Sequence, residues 1–169
     1  MARRRFLVAL VPPDTLSVQL RALRSLTGGP ARERIAPHVT LVPPFNLDAR
    51  HAPEVRAVLR AAVTAAAPFE LWLGPGSSFA PRNATLHLAV GGEPEAIRAL
   101  EALRGRVRTG TIDRPDRHAF VPHLTLRRHA PEEMTDAAAD VLSGRLGWRV
   151  DRLQLMEQVH GDEGTTWRP

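Results

Sequence analysis

Two nearly identical segments, separated by half the chain, set the strongest constraint on how this sequence folds. Residues 37–41 read PHVTL and residues 122–126 read PHLTL, so the two histidines lie 85 positions apart (123 − 38) in a chain of 169 residues. Val, Thr and Leu favour strands, and side chains alternate between the two faces of a strand. Each segment therefore predicts a strand with a histidine and a threonine on one face, their Cβ atoms about 6.6 Å apart.

The repeat extends beyond these segments. Residues 21–24 (RALR) match residues 101–104 (EALR) at an offset of 80 (101 − 21), and the order strand, helix, histidine strand, helix occurs twice. Two similar offsets predict an internal duplication. We expect an α+β fold in one bilobal domain, residues 1–169. Its two pseudo-symmetric lobes should each be a mainly antiparallel sheet with outer helices, and the duplicated His-x-Thr strands should face a central cleft.

Hydrophobic periodicity and turn residues give the expected elements. The first histidine strand is expected to stop at the proline pair 43–44, and residues 74–78, rich in Gly, Pro and Ser, are expected to form a loop. On the faces opposite the histidines, Val39, Leu41, Leu124 and Leu126 are expected to reach a core. Strands are predicted at 6–11, 35–42, 69–73, 85–90, 120–127, 148–158 and 165–167, and helices at 53–67 and 131–142, with two more around Leu20 and Leu100.

The composition excludes several kinds of chemistry. All 23 basic residues are arginines, and the chain contains neither lysine nor cysteine. These absences rule out a lysine-adenylate ligase, a Schiff-base mechanism, a P-loop lysine, a thiolate nucleophile and cysteine-bound zinc. The net charge of +5 favours an anionic partner such as nucleic acid or a nucleotide, which arginine would have to bind. No apolar run is long enough for a signal peptide or a membrane span, so we expect a cytoplasmic protein that does not contact membranes.

Two imidazoles and two hydroxyls on facing strands suit chemistry at a phosphate diester. Imidazole has an ordinary pKa near 6.5, so one histidine can act as a base while the other acts as an acid. Thr40 and Thr125 can donate hydrogen bonds to the non-bridging oxygens, where negative charge accumulates. Arg127 lies two residues after Thr125 on the same strand face, and we predict that it clamps the phosphate.

The two motifs resemble those of the two-histidine phosphoesterase superfamily, which contains the 2′-5′ RNA ligases and the RNA 2′,3′-cyclic phosphodiesterases. The flanks PHVTLVPPF (37–45) and FVPHLTLR (120–127) are most similar to the bacterial 2′-5′ RNA ligase branch. The resemblance implies that His38 and His123 are the acid/base pair and that Thr40 and Thr125 bind phosphate oxygens. It also implies catalysis without a metal or a nucleotide cofactor.

The resemblance leaves several functions open. The leading expectation is a phosphodiesterase that opens an RNA or nucleotide 2′,3′-cyclic phosphate by releasing O3′, which leaves a 2′-phosphate. A 2′-5′ RNA ligase would use the same residues with an RNA 5′-hydroxyl in place of water. A non-catalytic RNA-binding module is the alternative from another class. We assign His38 as the acid and His123 as the base, although the pseudo-symmetry leaves the reverse open, and we expect a monomer.

Other residues are weaker candidates for substrate contacts. Phe45 and Phe79 are predicted to stack on a base, a contact worth about 1–3 kcal/mol. Arg32, Arg82 and Arg128 are candidates for an RNA groove. The histidines outside the two motifs, His87 among them, are interpreted as surface or structural residues.

Overall fold

A computed structural model of the chain describes residues 3–29, 34–113, 115–116, 118–162 and 164–169. Within these residues, the strands form one antiparallel sheet in the order β6-β3-β4-β5-β2-β1-β7-β8. The strands are β1 (Arg3–Leu10), β2 (Val39–Asp48), β3 (Phe69–Phe79), β4 (Asn83–Gly91), β5 (His123–Arg127), β6 (Leu146–Val150), β7 (Leu153–Gly161) and β8 (Gly164–Arg168). The α-helices are α1 (Asp14–Leu26), α2 (Ala52–Thr64), α3 (Pro94–Val107), α4 (Glu132–Asp136) and α5 (Ala138–Val141).

The sheet consists of two four-stranded lobes that meet edge to edge. Strands β2, β1, β7 and β8 form one lobe, and strands β5, β4, β3 and β6 form the other. The two histidine strands are the inner edges, and they are joined through the pair Val39 and Leu124. This arrangement confirms the predicted α+β fold with duplicated histidine strands at its centre.

The apolar residues of both motifs lie in the core, as predicted. Val39, Leu41, Leu124 and Leu126 are each buried, with at most 2% of their surface exposed. They pack in one large cluster with side chains of α1, α2, α3 and the neighbouring strands. Burial of each such side chain stabilises the fold by about 1.5–3 kcal/mol. The core thus fixes one face of each histidine strand and leaves the opposite face for His38, Thr40, His123 and Thr125.

Strand β2 does not stop at the proline pair, which corrects the expectation from sequence. It continues to Asp48 and pairs with β1 through Phe6 and Phe45. The pairing shifts register between Phe6 and Val8, opposite the prolines, and both prolines are exposed. Because proline has no N–H to donate, it is tolerated in a strand at such an irregularity.

Three other predicted boundaries were wrong. Residues 74–78 belong to β3, whose pairing with β4 shifts register between Leu73 and Gly76 instead of breaking. The single helix predicted at 131–142 is divided at Ala137 into α4 and α5. The strand predicted at 148–158 is divided at residues 151–152, because β6 pairs with β3 in one lobe and β7 pairs with β1 in the other.

The end of α1 lies against the second histidine strand. The helix ends at Leu26 with Thr27 as its C-cap, and Gly28 follows with φ +68°, a left-handed conformation that favours glycine. The next residue, Gly29, lies so close to the carbonyl oxygens of Arg24 and Leu126 that a Cβ atom there would be 2.7 Å and 3.3 Å from them. This close approach places the last turn of α1 beside β5.

Candidate active site

The register of the central pair brings the two motifs together. Because Val39 lies opposite Leu124 in an antiparallel pair, His38 falls beside Thr125, and Thr40 falls beside His123. The histidines therefore occupy diagonal corners of one patch, a spacing of about 7–8 Å between diagonal neighbours. All four side chains line one cavity of about 730 Å³. The structure thus brings together the four residues that the sequence motifs single out.

Both imidazoles are held in the same way. Nδ1 of His38 lies 2.8 Å from the carbonyl oxygen of Ala36, and Nδ1 of His123 lies 2.8 Å from that of Val121. A carbonyl oxygen only accepts hydrogen bonds, so Nδ1 carries the hydrogen in each ring. The other nitrogen, Nε2, is then the atom that takes up or gives up a proton in the cavity.

The surroundings of His38 keep it neutral. Its pKa is lowered from 6.5 to about 4, first by burial and then by the charges of Arg24, His123 and Arg128, against the hydrogen bond to Ala36. The pKa of His123 is also lowered, first by burial and then by Arg128, against the hydrogen bond to Val121. Desolvation and nearby cations both disfavour an imidazolium, so His38 is a free base at neutral pH.

Among the residues that the structure describes, five arginines line the cavity, and two of them follow the second motif. Nη1 of Arg127 donates to the carbonyl oxygen of Thr27 at 2.9 Å and packs against Gly28. Arg128 is exposed, and its charge acts on both histidines. The predicted clamp, Arg127, is therefore partly engaged by the end of α1, whereas Arg128 is the cation that acts on both imidazoles. The five are Arg21, Arg24, Arg34, Arg127 and Arg128.

Sequence reasoning missed Arg21, Arg24 and Arg34 as cavity residues. Arg21 and Arg24 belong to the repeated RALR segment, which gave a signal for duplication but none for the cavity. Of the other predicted arginines, Arg82 lies outside the residues that line the cavity. Arg32 lies outside the described residues.

The two phenylalanines differ in their placement. Phe45 is 4% exposed and packs on Phe6, with ring centroids 6.2 Å apart, so the prediction that it stacks on a base was wrong. Phe79 lies at the site, where its ring meets that of His123 edge-on with centroids 4.9 Å apart. It also stacks on His87 at 4.2 Å. Base stacking by Phe79 stays a prediction.

His87, which was interpreted from the sequence as a surface or structural residue, is a neighbour of the site. It is 3% exposed, pairs with Thr125 across β4 and β5, and its ring centroid lies 5.2 Å from that of His123. Burial lowers the pKa of His87, against a hydrogen bond from Nδ1 to the carbonyl oxygen of Thr85. A neutral imidazole and the Phe79 ring thus form one wall beside His123.

The part of the chain that the structure describes offers no obvious metal centre or membrane span. It contains no cluster of three or more His, Cys, Asp or Glu side chains that could hold a metal ion. None of its helices is both long enough and apolar enough to cross a membrane.

Comparison with known proteins identifies the family. A model of the 2′-5′ RNA ligase superfamily matches residues 12–162. The chain belongs to this superfamily of two-histidine phosphoesterases. A candidate phosphoesterase of Oceanobacillus iheyensis is 30% identical over 168 residues, which cover 95% of this chain and 94% of the relative. A second, from Bacillus pumilus, is 33% identical over 140 residues, which cover 79% of this chain and 77% of the relative.

Solved structures share the fold. E. coli LigT in complex with 3′-AMP superposes with a TM-score of 0.69 at 19% identity, covering 99% of this chain and 95% of LigT. A protein of Thermus thermophilus superposes with a TM-score of 0.62 at 21% identity, covering 97% of this chain and 93% of that protein. Membership of the superfamily supports an enzyme that acts on phosphate esters.

Proposed function

We propose that this protein opens the 2′,3′-cyclic phosphate at the end of an RNA or a nucleotide, without a metal, and leaves a 2′-phosphate. The observation that carries the proposal is the pair of anchored histidines at diagonal corners of one cavity. In-line displacement at phosphorus needs a base on the side of the attacking oxygen and an acid on the side of the leaving oxygen. Two imidazoles that flank one phosphate meet that need, and each contributes roughly 10²–10⁴-fold to the rate.

The other side chains of the patch serve the non-bridging oxygens. Thr40 and Thr125 lie beside the two histidines and carry hydroxyls that can donate to a phosphate between them. Arg128 acts on both histidines and places a positive charge where the attacked phosphate gains negative charge. We therefore propose Arg128 as the main phosphate clamp, with Arg127 in support because Thr27 already engages its guanidinium.

The electrostatics favour His38 as the base and His123 as the acid, the reverse of the assignment made from sequence. His38 is neutral at neutral pH because its pKa is about 4, as a base requires. The lowering at His123 is smaller, and a bound phosphate anion would raise its pKa again. Below about pH 4, His38 is protonated and cannot act as the base, and above its own lowered pKa, His123 is deprotonated and cannot act as the acid. The value of kcat/KM should therefore peak below pH 6.5.

Charge and the family both support the proposed substrate class. The five arginines that line the cavity of about 730 Å³ within the described part of the chain favour an anion larger than a free phosphate. The solved neighbour LigT holds 3′-AMP, a nucleotide with a phosphate on its ribose. A 2′-5′ RNA ligase would use the same two histidines with a 5′-hydroxyl as the attacking group, and the superfamily name favours it as the second candidate.

The decisive experiment incubates the protein with an RNA that ends in a 2′,3′-cyclic phosphate, with a chelator and without ATP. An unlabelled RNA with a 5′-hydroxyl is present in a parallel sample, and His38→Ala and His123→Ala serve as variants. A 2′-phosphate end that forms only with the wild-type protein supports the proposal, and a 2′-5′ joined product supports the ligase. Binding of RNA with no turnover at any pH would instead indicate a binding module.

A sulfur substitution separates the acid from the base. When O3′ of the cyclic phosphate is replaced by sulfur, the leaving group departs as a thiolate and needs no proton. The assignment predicts that His123→Ala recovers most of its lost rate on this substrate, whereas His38→Ala does not. The reverse pattern would make His38 the acid.

A further inference from the structure

Arg24 and Arg104 occupy equivalent positions in the repeated segments RALR and EALR, on α1 and α3. Each helix packs against the histidine strand of the opposite half, α1 against β5 and α3 against β2. The proposed reaction gives neither arginine a proton transfer or a direct part in the clamp on the phosphate. Their contacts, however, follow one pattern.

Arg24 joins the two motif segments from one side. Its Nε donates to the carbonyl oxygen of Thr125 at 3.2 Å, within the second motif. Its Nη1 donates to the carbonyl oxygen of Ile35 at 2.9 Å, three residues before His38 in the first motif. One guanidinium therefore links the strand of one histidine to the segment that leads into the other.

Arg104 joins the same segments with the halves exchanged. Its Nε donates to the carbonyl oxygen of Leu41 at 3.2 Å, directly after Thr40. Its guanidinium lies over the ring of Phe120 at 4.1 Å, three residues before His123, and Nη2 donates to Asp116 at 2.6 Å. The offset of 85 relates Phe120 to Ile35 (120 − 35), so the two arginines hold equivalent approaches to the two motifs.

We propose that Arg24 and Arg104 are a pair of positioning residues that fix the spacing of His38 and His123, each by fastening the motif segments of both halves to one guanidinium. The proposal rests on the proposed function, because the spacing matters only if both histidines act on one phosphate. The described junction between β2 and β5 is the single pair Val39 and Leu124, so the sheet itself gives little support to the spacing between these two strands. A planar guanidinium with five N–H donors can bind two segments at once, which a single ammonium group does less well.

The two arginines differ in whether their charge faces the cavity. Arg24 lines the cavity, and its charge adds to the lowering of the pKa of His38. The side chain of Arg104 is 12% exposed and paired with Asp116, and it lies outside the residues that line the cavity. Loss of Arg104 should therefore disturb spacing alone, whereas loss of Arg24 should disturb spacing and also raise the pKa of His38. Among the described residues, the other charged or titratable groups that act on His38 are His123 and Arg128, and Arg21, Arg34, Arg127 and His129 line the same cavity.

The test compares Arg104→Met, Arg104→Lys and Arg24→Met with the control Arg98→Met, an exposed arginine of α3 that pairs with Glu95. Steady-state kinetics on the cyclic phosphate are measured from pH 3.5 to 8. A misplacement of about 1 Å can cost about 10²-fold in rate, so we expect both methionine variants to lose at least 10-fold in kcat. For Arg104→Met, KM should stay within about threefold because the residue does not contact the cavity.

The pH profile separates the two positions. Arg24→Met should move the acidic limb of kcat/KM to higher pH, because a cation that opposes protonation of His38 is gone. Arg104→Met should leave that limb in place while kcat falls. Full kcat in Arg104→Met or in Arg104→Lys would overturn the proposal, since the former removes both attachments and the latter replaces the five-donor guanidinium with one ammonium group that cannot span both segments in the same way.

A second readout keeps this inference separate from the proposed function. Histidines labelled at Cε1 with ¹³C report the surroundings of both imidazoles by NMR without any turnover. A cooperative unfolding transition first shows that Arg104→Met is folded. In this variant the signals of His38 and His123 should both shift, whereas in Arg98→Met neither signal should shift. If the wild-type protein is inactive, the proposed function fails while this result still decides the positioning role. Unchanged signals in Arg104→Met would refute it.

Discussion

The burial of His38 predicts a loss of stability in acid that can be calculated from the structure. Burial and neighbouring cations lower the pKa of His38 from 6.5 to about 4 in the folded chain. The unfolded chain therefore binds a proton at this residue in a pH range where the folded chain does not. Stability contributed by neutral His38 is fully present above pH 6.5 and is lost as the pH falls toward 4.

The magnitude follows from the size of the shift. A pKa difference of one unit corresponds to about 1.4 kcal/mol, so the shift of His38 corresponds to about 3 kcal/mol once the pH is well below 4. At pH 5, about 2 kcal/mol of this should already be lost. Folded domains are stable by only about 5–15 kcal/mol, so one histidine should account for a measurable share of acid unfolding.

The assay compares the wild-type protein with His38→Gln, which cannot titrate. Urea unfolding at pH 7.5 and at pH 5 gives the free energy of unfolding at each pH. Between these values, the wild-type protein should lose about 2 kcal/mol more than the variant. The control is Thr40→Val, on the same face of β2, which should lose as much as the wild type. Equal losses in the wild type and in His38→Gln would refute the reasoning, because His38 would then not be buried as a neutral base.

Three further predictions concern individual side chains. Arg128→Gln should lower kcat/KM on the cyclic phosphate by about 10–100-fold, because a hydrogen bond to a charged group is worth about 1.5–3 kcal/mol. Arg127→Gln should lower it less, and equal losses in the two variants would contradict the assignment of the clamp. Gly28→Ala should lower the free energy of unfolding by about 1–3 kcal/mol, because φ is +68° and the new Cβ would lie 2.6 Å from Nη1 of Arg127. Unchanged urea unfolding would argue against this left-handed turn after α1. Phe45→Ala should cost about 3–5 kcal/mol of stability at constant KM, whereas a raised KM with intact stability would restore its predicted contact with a base.

The sequence was sufficient to predict the central patch. Alternation along a strand requires His38 and Thr40 to share a face, and it requires Val39 and Leu41 to share the other, whatever the surrounding fold. The 85-residue repeat then required a second such patch around His123. Local spacing and duplication therefore carried the prediction, and the structure agrees with both.

Long-range contacts could not be predicted in the same way. Nothing near Arg24 in the sequence indicates that it reaches Thr125, 101 positions away, and the same holds for Arg104 and Leu41. Phe45 follows the first motif closely and was assigned to the substrate, but the register with β1 places it on Phe6 in the core. The burial and neighbouring charges that distinguish His38 from His123 likewise appear only in the folded chain.

The most direct test of the central claim measures kcat/KM on an RNA 2′,3′-cyclic phosphate for the wild type, His38→Ala, His123→Ala and the double variant. If both histidines move protons in one displacement, each single variant should lose roughly 10²–10⁴-fold. The double variant should lose less than the product of the two single losses, because residues that act as a unit are not additive. A single variant that keeps the wild-type rate, while the protein still opens the cyclic phosphate, would contradict the two-histidine account.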